Sequence, residues 1–412
     1  MQIEFLIFNL HIIPRTLRPV LRAAARAYPV VTLTGPRQSG KTSLLRDAFP
    51  RHDYVSLEEP DQRSFALEDP RGFLDQFSGP AVLDEAQRAP ALFSYIQGLV
   101  DRKPTPGRFI LSGSQNFLLL GSVSQSLAGR SAILHLLPFS LAELERRRAL
   151  PIHSLGRSLP RAARTRSKNA LDLLSTLFRG FYPRIHDQEL EPRRWLSGYY
   201  QTYVERDVRE LANVGDLEAF GRFVRLCAGR SGQLLNANGL AADCGITHTT
   251  ARRWLSILEA SFLVLLLRPH HRNFSKRLIK APKLYFLDTG LLCYLLQIRT
   301  PEELRHHSSR GAVFESFVVS ELLKNYLHRG EESGLHFWRD AAGNEIDVLL
   351  DDGGELAAVE VKSAQTVASD FFAGLRFFAE LAGDPAPRRA LVYGGDRSFR
   401  REGVAVYRWS DL

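Results

Sequence analysis

The run Gly35-Pro36-Arg37-Gln38-Ser39-Gly40-Lys41-Thr42 constrains this chain more than any other part of it, because of what flanks it. The β-branched stretch Val30 to Thr34 precedes it, and the helix-forming Ser43-Leu44-Leu45 follows. In a loop of pattern G-x-x-x-x-G-K-[ST] between strand and helix, glycines let successive backbone N–H groups turn towards one point. The amino end of the following helix adds the positive end of its dipole there. Gly35, Pro36, Arg37, Gln38, Ser39, Gly40, Lys41, Thr42 and Ser43 are thus the expected lining of a phosphate site. Lys41 would reach the β- and γ-phosphates as a point charge, and Thr42 would offer its hydroxyl to Mg²⁺. The loop also commits its surroundings to an α/β layer with the ligand at the carboxyl edge of a parallel sheet.

Two further strands suit that edge. Pro80-Ala81-Val82-Leu83 ends in the adjacent carboxylates Asp84 and Glu85. Asp84 is expected to hold Mg²⁺ through water, and Glu85 to polarise the attacking water. The strand Arg108 to Ser112 ends in small polar residues, where Ser114 or Gln115 would sense the γ-phosphate or simply form a turn.

The length of 412 residues allows several domains, and 44% hydrophobic with 24% charged residues excludes a disordered or fibrous chain. The expected division is an amino-terminal segment 1–27, a nucleotide domain 28–145, a basic linker or insertion 146–170, a helical and winged-helix domain 171–300, and an α/β domain 301–412. The stretch 146–168 holds eight Lys/Arg and no acid, which reads as a solvated linker or a nucleic-acid-binding arm. An excess of 54 Lys plus Arg over 45 Asp plus Glu suits a polyanionic partner, DNA or RNA. The cysteines Cys227, Cys244 and Cys293 show no paired spacing and read as reduced core thiols of a cytoplasmic protein. No apolar run is long enough to cross a bilayer, so no membrane partner is expected, and the apolar start lacks the marks of a signal peptide.

Together GPRQSGKTSLL, LDEAQRAP, ILSGSQNFLL, SLAGR and LLPFSLAEL resemble bacterial and archaeal AAA+-type P-loop ATPases that carry a carboxyl-terminal domain of unknown function. The likeness continues through YYQTYVERDV, RRWLSILEASFLV, PKLYFLDTGLL, GAVFE, NEIDVLL and AVEVK. It implies ATP binding with hydrolysis, and makes Arg130 of SLAGR a candidate arginine finger, in cis or on a neighbouring subunit. The second arrangement makes a homo-oligomer a candidate assembly.

In the middle region, Leu240 to Cys244, Gly245, and Thr247 to Leu255 read as helix, glycine turn, helix. Ile246, Ala251, Leu255 and Leu258 would share the apolar face, with Thr247, Thr249, Arg252 and Arg253 outward. The strand SFLVLLLRP and the basic HHRNFSKRLIKAPK, including His270 and His271, would form a wing meeting phosphates. Tyr199, Tyr200 and Tyr203 read as core packing, with Glu205, Arg206 and Asp207 as alternatives for contacting the nucleotide domain. Trp195, Trp254 and Trp338 read as core or half-buried anchors.

The last domain reads as helix, three strands, helix, strand. Glu315 lies on its first helix, Glu345 and Asp347 on one strand, and Glu360 and Lys362 on one face of the next. Asp347 and Glu360 would hold a second Mg²⁺ or Mn²⁺, with Lys362 orienting or deprotonating water. The D…ExK order resembles the restriction-endonuclease-like, PD-(D/E)xK, fold. Three functions follow: an ATPase switching a winged-helix and nuclease-like module on nucleic acid, an ATP-gated protein-interaction switch, or an ATP-regulated metal-dependent nuclease.

Overall fold

A computed structural model of the chain describes residues 13–114, 121, 123, 125–160, 171–203, 216–270, 280–383 and 387–412. The chain forms two compact units: residues 1–139 with 260–262 and 326–332, and residues 140–259 with 263–325 and 333–412.

The first unit follows α1 (Leu17–Ala27), β1 (Val30–Thr34), α2 (Lys41–Ala48), β2 (Asp53–Ser56), α3 (Pro60–Glu68), α4 (Pro70–Asp75), β3 (Ala81–Asp84), α5 (Ala91–Arg102), β4 (Phe109–Gly113) and β5 (Ser131–His135). Its five strands lie in the order β2-β3-β4-β1-β5, and every pairing is parallel. Strand alternation sends Val31 and Leu33 to a core with Leu17, Leu21, Leu44 and Leu45, while Val30, Leu83 and Leu111 face a core with Phe73, Phe93 and Ile96. Helices therefore cover both faces, which is why β1 is buried along its whole length and reads as an unbroken apolar run.

The second unit contains α6 (Leu173–Arg179), α7 (Leu217–Gly229), β6 (Gln233–Leu234), α8 (Ala237–Cys244), α9 (His248–Ala260), β7 (Val264–Leu267), β8 (Lys283–Phe286), α10 (Thr289–Leu295) and α11 (Arg310–Leu327). Then come β9 (Leu335–Arg339), β10 (Glu345–Asp352), β11 (Glu355–Lys362), α12 (Ala373–Ala382), β12 (Arg388–Tyr393), β13 (Phe399–Arg401) and β14 (Val404–Arg408). Strands β6, β8 and β7 form a small antiparallel sheet, and the others a six-stranded mixed sheet ordered β13-β14-β12-β11-β10-β9. The expected helix, three strands, helix, strand is present as α11 to β12, and the chain adds the hairpin β13–β14 at the sheet edge. Trp338, Ile346, Leu349, Leu375, Phe378 and Leu391 form its core against α12.

The basic stretch expected to be a solvated linker is packed over its described part. Tyr407 accepts a hydrogen bond from the Gly156 amide at 2.9 Å and donates to the Ser158 carbonyl at 2.8 Å. Arg388 donates to the carbonyls of His153 and Leu155, and Arg147 to those of Ser410 and Leu412. Arginines whose side chains meet carbonyls spend their charge on structure, which composition does not reveal. Residues 161–170 lie outside the described residues.

Candidate functional site

The loop from Gly35 to Gly40 joins β1 to α2 at the carboxyl edge of the parallel sheet, with β1 lying between β4 and β5. Gly35 has φ +153°, and a Cβ there would stand 2.1 Å from the Leu136 carbonyl oxygen, so the closeness of two backbones demands glycine. Gly40 caps α2 in the left-handed region, at φ 91° and ψ 21°. Lys41 is buried, and its Nζ donates to the carbonyls of Gly35 and Pro36, each at 2.9 Å. Burial lowers its pKa, and the carboxylates of Glu85 and Asp84 work against that shift. Ser39 is buried, while Thr42 and Ser43 are exposed in the first turn of α2.

Asp84 ends β3 and is hydrogen-bonded on both oxygens. Its Oδ2 accepts from Thr42 Oγ1 at 2.7 Å and from the Tyr54 hydroxyl at 2.6 Å; its Oδ1 accepts from Ser112 Oγ and from the Glu85 amide at 3.1 Å. Thr42 and Asp84 are thus brought together across the edge of the sheet. A hydroxyl and a carboxylate are hard oxygen donors, which fits Mg²⁺ bound with a triphosphate.

Glu85 stands next to them in a left-handed conformation, φ 55° and ψ 42°, uncommon for a residue with a side chain. Its Oε2 accepts from Gln87 Nε2 at 2.6 Å and from Ser114 Oγ at 3.1 Å. Ser114, expected to meet phosphate, here meets the carboxylate; Gln115 lies outside the described residues. Sequence reasoning missed Tyr54, Ser112 and Gln87, and also Arg15. Arg15 is buried and ties the loop down, donating to the Ser39 carbonyl at 2.7 Å and the Leu137 carbonyl at 2.6 Å. No local pattern marks these four, although Gln87 follows the acidic pair closely.

Arg130 stands elsewhere. Its carbonyl accepts from the Val30 amide, level with the amino end of β1, whereas the phosphate loop leaves the carboxyl end. Five strand residues at about 3.3 Å each put about 16 Å between those edges. Its guanidinium is paired with Asp101, Nη2 to Oδ2 at 2.9 Å. Within its own chain Arg130 is thus set apart from the phosphate loop.

In the second unit, Asp347 and Glu360, expected to hold a second metal, meet Lys362, and the other candidates Glu315 and Glu345 meet Lys283 and an arginine. Lys283, on β8 and buried, bonds to Glu315 Oε1 at 3.2 Å and contacts Glu345. Tyr285 donates to Glu315 Oε1 at 2.5 Å, and Arg339 to Glu345 at 2.7 Å. Asp347 accepts from the Val361 amide at 2.8 Å and lies 3.6 Å from Lys362 Nζ, which donates to Glu360 at 2.8 Å. Asp347 lies within a register shift of β10 between Ile346 and Leu349.

Burial, then the Asp347 carboxylate, pushes Glu360 up to about 8. Burial alone would lower Lys362, but Asp347 and Glu360 outweigh it and hold the ammonium above its ordinary range. Of the two roles expected of Lys362, orienting water and deprotonating it, a held ammonium suits the first. Among the described residues no group of three or more His, Cys, Asp or Glu is disposed to hold a metal. Asp347 and Glu360 share Lys362, the arrangement that the D…ExK order expects, and nothing beyond it among the described residues supports a second Mg²⁺ or Mn²⁺. Lys283 was missed because it precedes Glu315 on a separate sheet.

On α9, Ala251, Trp254, Leu255 and Leu258 are buried, while Thr247, His248, Thr249, Arg252 and Arg253 are exposed. Ile246 is half-buried, and Gly245 ends α8 in the left-handed region. His270 is buried and bonded to Asp351 Oδ2 at 2.8 Å, so it is not part of an exposed wing. Residues 271–279, including His271, lie outside the described residues, as do Glu205, Arg206 and Asp207. The three cysteines are buried and free. Trp254 and Trp338 are buried, and Trp195 stacks half-buried on Tyr199 at 5.2 Å between ring centroids. No helix of the described residues is long and apolar enough to cross a membrane.

Residues 27–145 match the family described as AAA domain, residues 170–302 a domain of unknown function (DUF8612), and residues 310–412 another (DUF4143). Among solved structures, the Walker-type ATPase PABY2304 of Pyrococcus abyssi is 16% identical, with a TM-score of 0.44, covering 69% of this chain and 96% of that one. A RuvB structure of Thermotoga maritima, a single-substitution variant, is 18% identical, with a TM-score of 0.30, covering 61% and 88%. The AAA match and the strand order, rather than these superpositions, carry the assignment of the first unit as an AAA-type ATPase domain. Two mycobacterial proteins, Uncharacterized protein Mb2031c of Mycobacterium bovis and Uncharacterized protein Rv2008c of Mycobacterium tuberculosis, are each 32% identical over 389 residues, covering 94% of this chain and 81% of the relative. The chain belongs to the family of these two mycobacterial proteins and opens with an AAA domain.

Proposed function

We propose that this chain binds ATP with Mg²⁺ between Gly35 and Thr42, hydrolyses it with Glu85, and thereby switches a rear module that binds nucleic acid without cutting it. The observation that carries the ATPase reading is Thr42 Oγ1 at 2.7 Å from Asp84, with Glu85 next in the chain. Magnesium held with Thr42 and Asp84 would neutralise phosphate charge when bound. The chain's own residues do the rest. The loop amides of Gly35 to Thr42 and Ser43 orient the phosphates, and Lys41 leaves the Gly35 and Pro36 carbonyls to meet them. Glu85, presented by Ser114 and Gln87, takes the proton of the attacking water. Arg130, partly exposed on the far edge of the sheet, is left with a role on a neighbouring subunit, which makes a homo-oligomer part of this proposal.

The nucleic-acid reading is supported by the order α7-β6-α8-α9-β7-β8, the topology of a winged helix, and by the polar and basic face of α9. A restriction-endonuclease-like ancestry suits the order α11 to β12, while the pairing of Glu315 and Glu345 with buried Lys283 favours binding over cleavage. The same pairing favours, as the second reading, an ATP-gated module that docks a protein.

One purified full-length preparation tests this, assayed for ATP turnover with and without DNA or RNA and for cleavage in Mg²⁺ and Mn²⁺. Lys41→Ala should abolish tight nucleotide binding, and Glu85→Gln should bind ATP while turning over about 100-fold more slowly. Wild-type protein that ignores ATP sinks the proposal. Metal-dependent cutting abolished by Asp347→Ala would instead establish the nuclease reading.

A further inference from the structure

The bonding of Asp84 includes a partner from outside the phosphate loop. Tyr54 sits on β2, whose register pairs Tyr54 with Val82 and Ser56 with Asp84, so its hydroxyl reaches along the sheet to Asp84 Oδ2 at 2.6 Å. An ionised carboxylate only accepts, so the tyrosine must donate. Its ring is held from the other side by the Arg46 guanidinium of α2, 4.2 Å from the ring centroid. Thr42 donates to the same Oδ2 at 2.7 Å, and Ser112 donates to Oδ1.

Two of these donors differ in what else is asked of them. The Thr42 hydroxyl can donate to Oδ2 while a lone pair of its oxygen meets magnesium, whereas the Tyr54 hydroxyl serves Asp84 from outside the phosphate loop. The Tyr54 ring stays in contact with the Arg46 guanidinium, which favours this placement of its hydroxyl. We propose that Tyr54 is a positioning residue for magnesium: it holds the Asp84 carboxylate in one orientation whether or not Thr42 also meets the cation, so that the hydrated cation meets a preset acceptor. This rests on the reading of the loop as an ATP site, and it adds a residue that neither the loop motif nor the acidic pair contains. Outer partners of a metal-binding carboxylate act on the cation and leave the rest of the ligand alone.

The test separates those two effects. ATP binding is measured by calorimetry on full-length wild type and Tyr54→Phe, first in EDTA and then across a MgCl₂ titration. Tyr54→Phe keeps the ring under Arg46 and removes only the hydroxyl. Affinity in EDTA should agree within about twofold, while the Mg²⁺ midpoint should rise about 10-fold, the lower end of outer-partner effects. Ser112→Ala removes the donor to the other oxygen and should move the midpoint in the same direction, which keeps the idea testable if Tyr54→Phe folds poorly. Superimposable magnesium titrations for wild type and Tyr54→Phe overturn the inference but leave the ATP site standing. Wild type with no affinity for ATP overturns the ATP reading itself.

Discussion

Lys283 shows how one residue decides what a cluster of carboxylates can do. It is buried at 2% exposure and serves Glu315 and Glu345 together, so removing its charge takes the facing lysine from half-buried Glu315, while Glu345 keeps Arg339. Lys283→Met should destabilise the rear unit by about 3–5 kcal/mol, read from chemical denaturation, and adding Glu315→Gln should recover part of the loss. Glu360 supplies a pH signature. Its pKa rises from the ordinary 4.5 to about 8, so the stability it contributes is complete below about pH 4.5 and is lost as pH climbs through 8. Between those limits the folded state holds a proton that the unfolded chain has released. Glu360→Gln should therefore flatten the fall of melting temperature between pH 5 and 8 relative to wild type, by at most about 1.4 kcal/mol per pH unit. Identical pH profiles for the two proteins would show that Glu360 is ionised throughout.

At the scale of an element, the start of α10 joins two distant stretches. Asp288 caps the helix by accepting from the Leu291 amide at 2.8 Å, and its other oxygen accepts from the Phe181 amide at 2.8 Å. Gly180 must be glycine to pass this junction, since a Cβ would lie 2.5 Å from Asp288 Oδ1. Asp288→Ala removes a cap and strands a buried amide, so it should cost about 2–4 kcal/mol in denaturant unfolding. The stretch FLDTGLL was legible in the sequence only as part of the family likeness. The partner at Phe181 is far off in the chain. The same contrast holds for 146–160, whose charge suggested a free linker, but where Arg147 donates to the Ser410 carbonyl and the His153 carbonyl accepts from Arg388.

For the whole molecule, an excess of nine positive charges matters only where it is gathered. On α9, Arg252 and Arg253 lie on the exposed face, opposite Trp254 and Leu258. If that face meets phosphates, the double variant Arg252→Ala/Arg253→Ala should weaken DNA binding about evenly across sequences. The dependence of log affinity on log salt should become shallower by about 1–2, measured by fluorescence anisotropy at several salt concentrations. Binding by wild type that does not respond to salt would favour a protein partner instead.

The sequence by itself determined the parts of this protein that are written in consecutive residues. The phosphate loop between strand and helix, the doubly buried parallel strands, the acidic pair ending β3 and the glycine turn before α9 each follow from spacing and backbone chemistry within a few positions. What converges from separate elements was decided only by the tertiary structure: Tyr54 on Asp84, Lys283 among the rear carboxylates, and Arg130 at the edge away from the loop. A periodicity tells which face a side chain takes on its own element. Which charge or hydroxyl arrives opposite it depends on how strands are ordered in a sheet and how helices pack on it. That ordering is what set lysines beside the rear carboxylates.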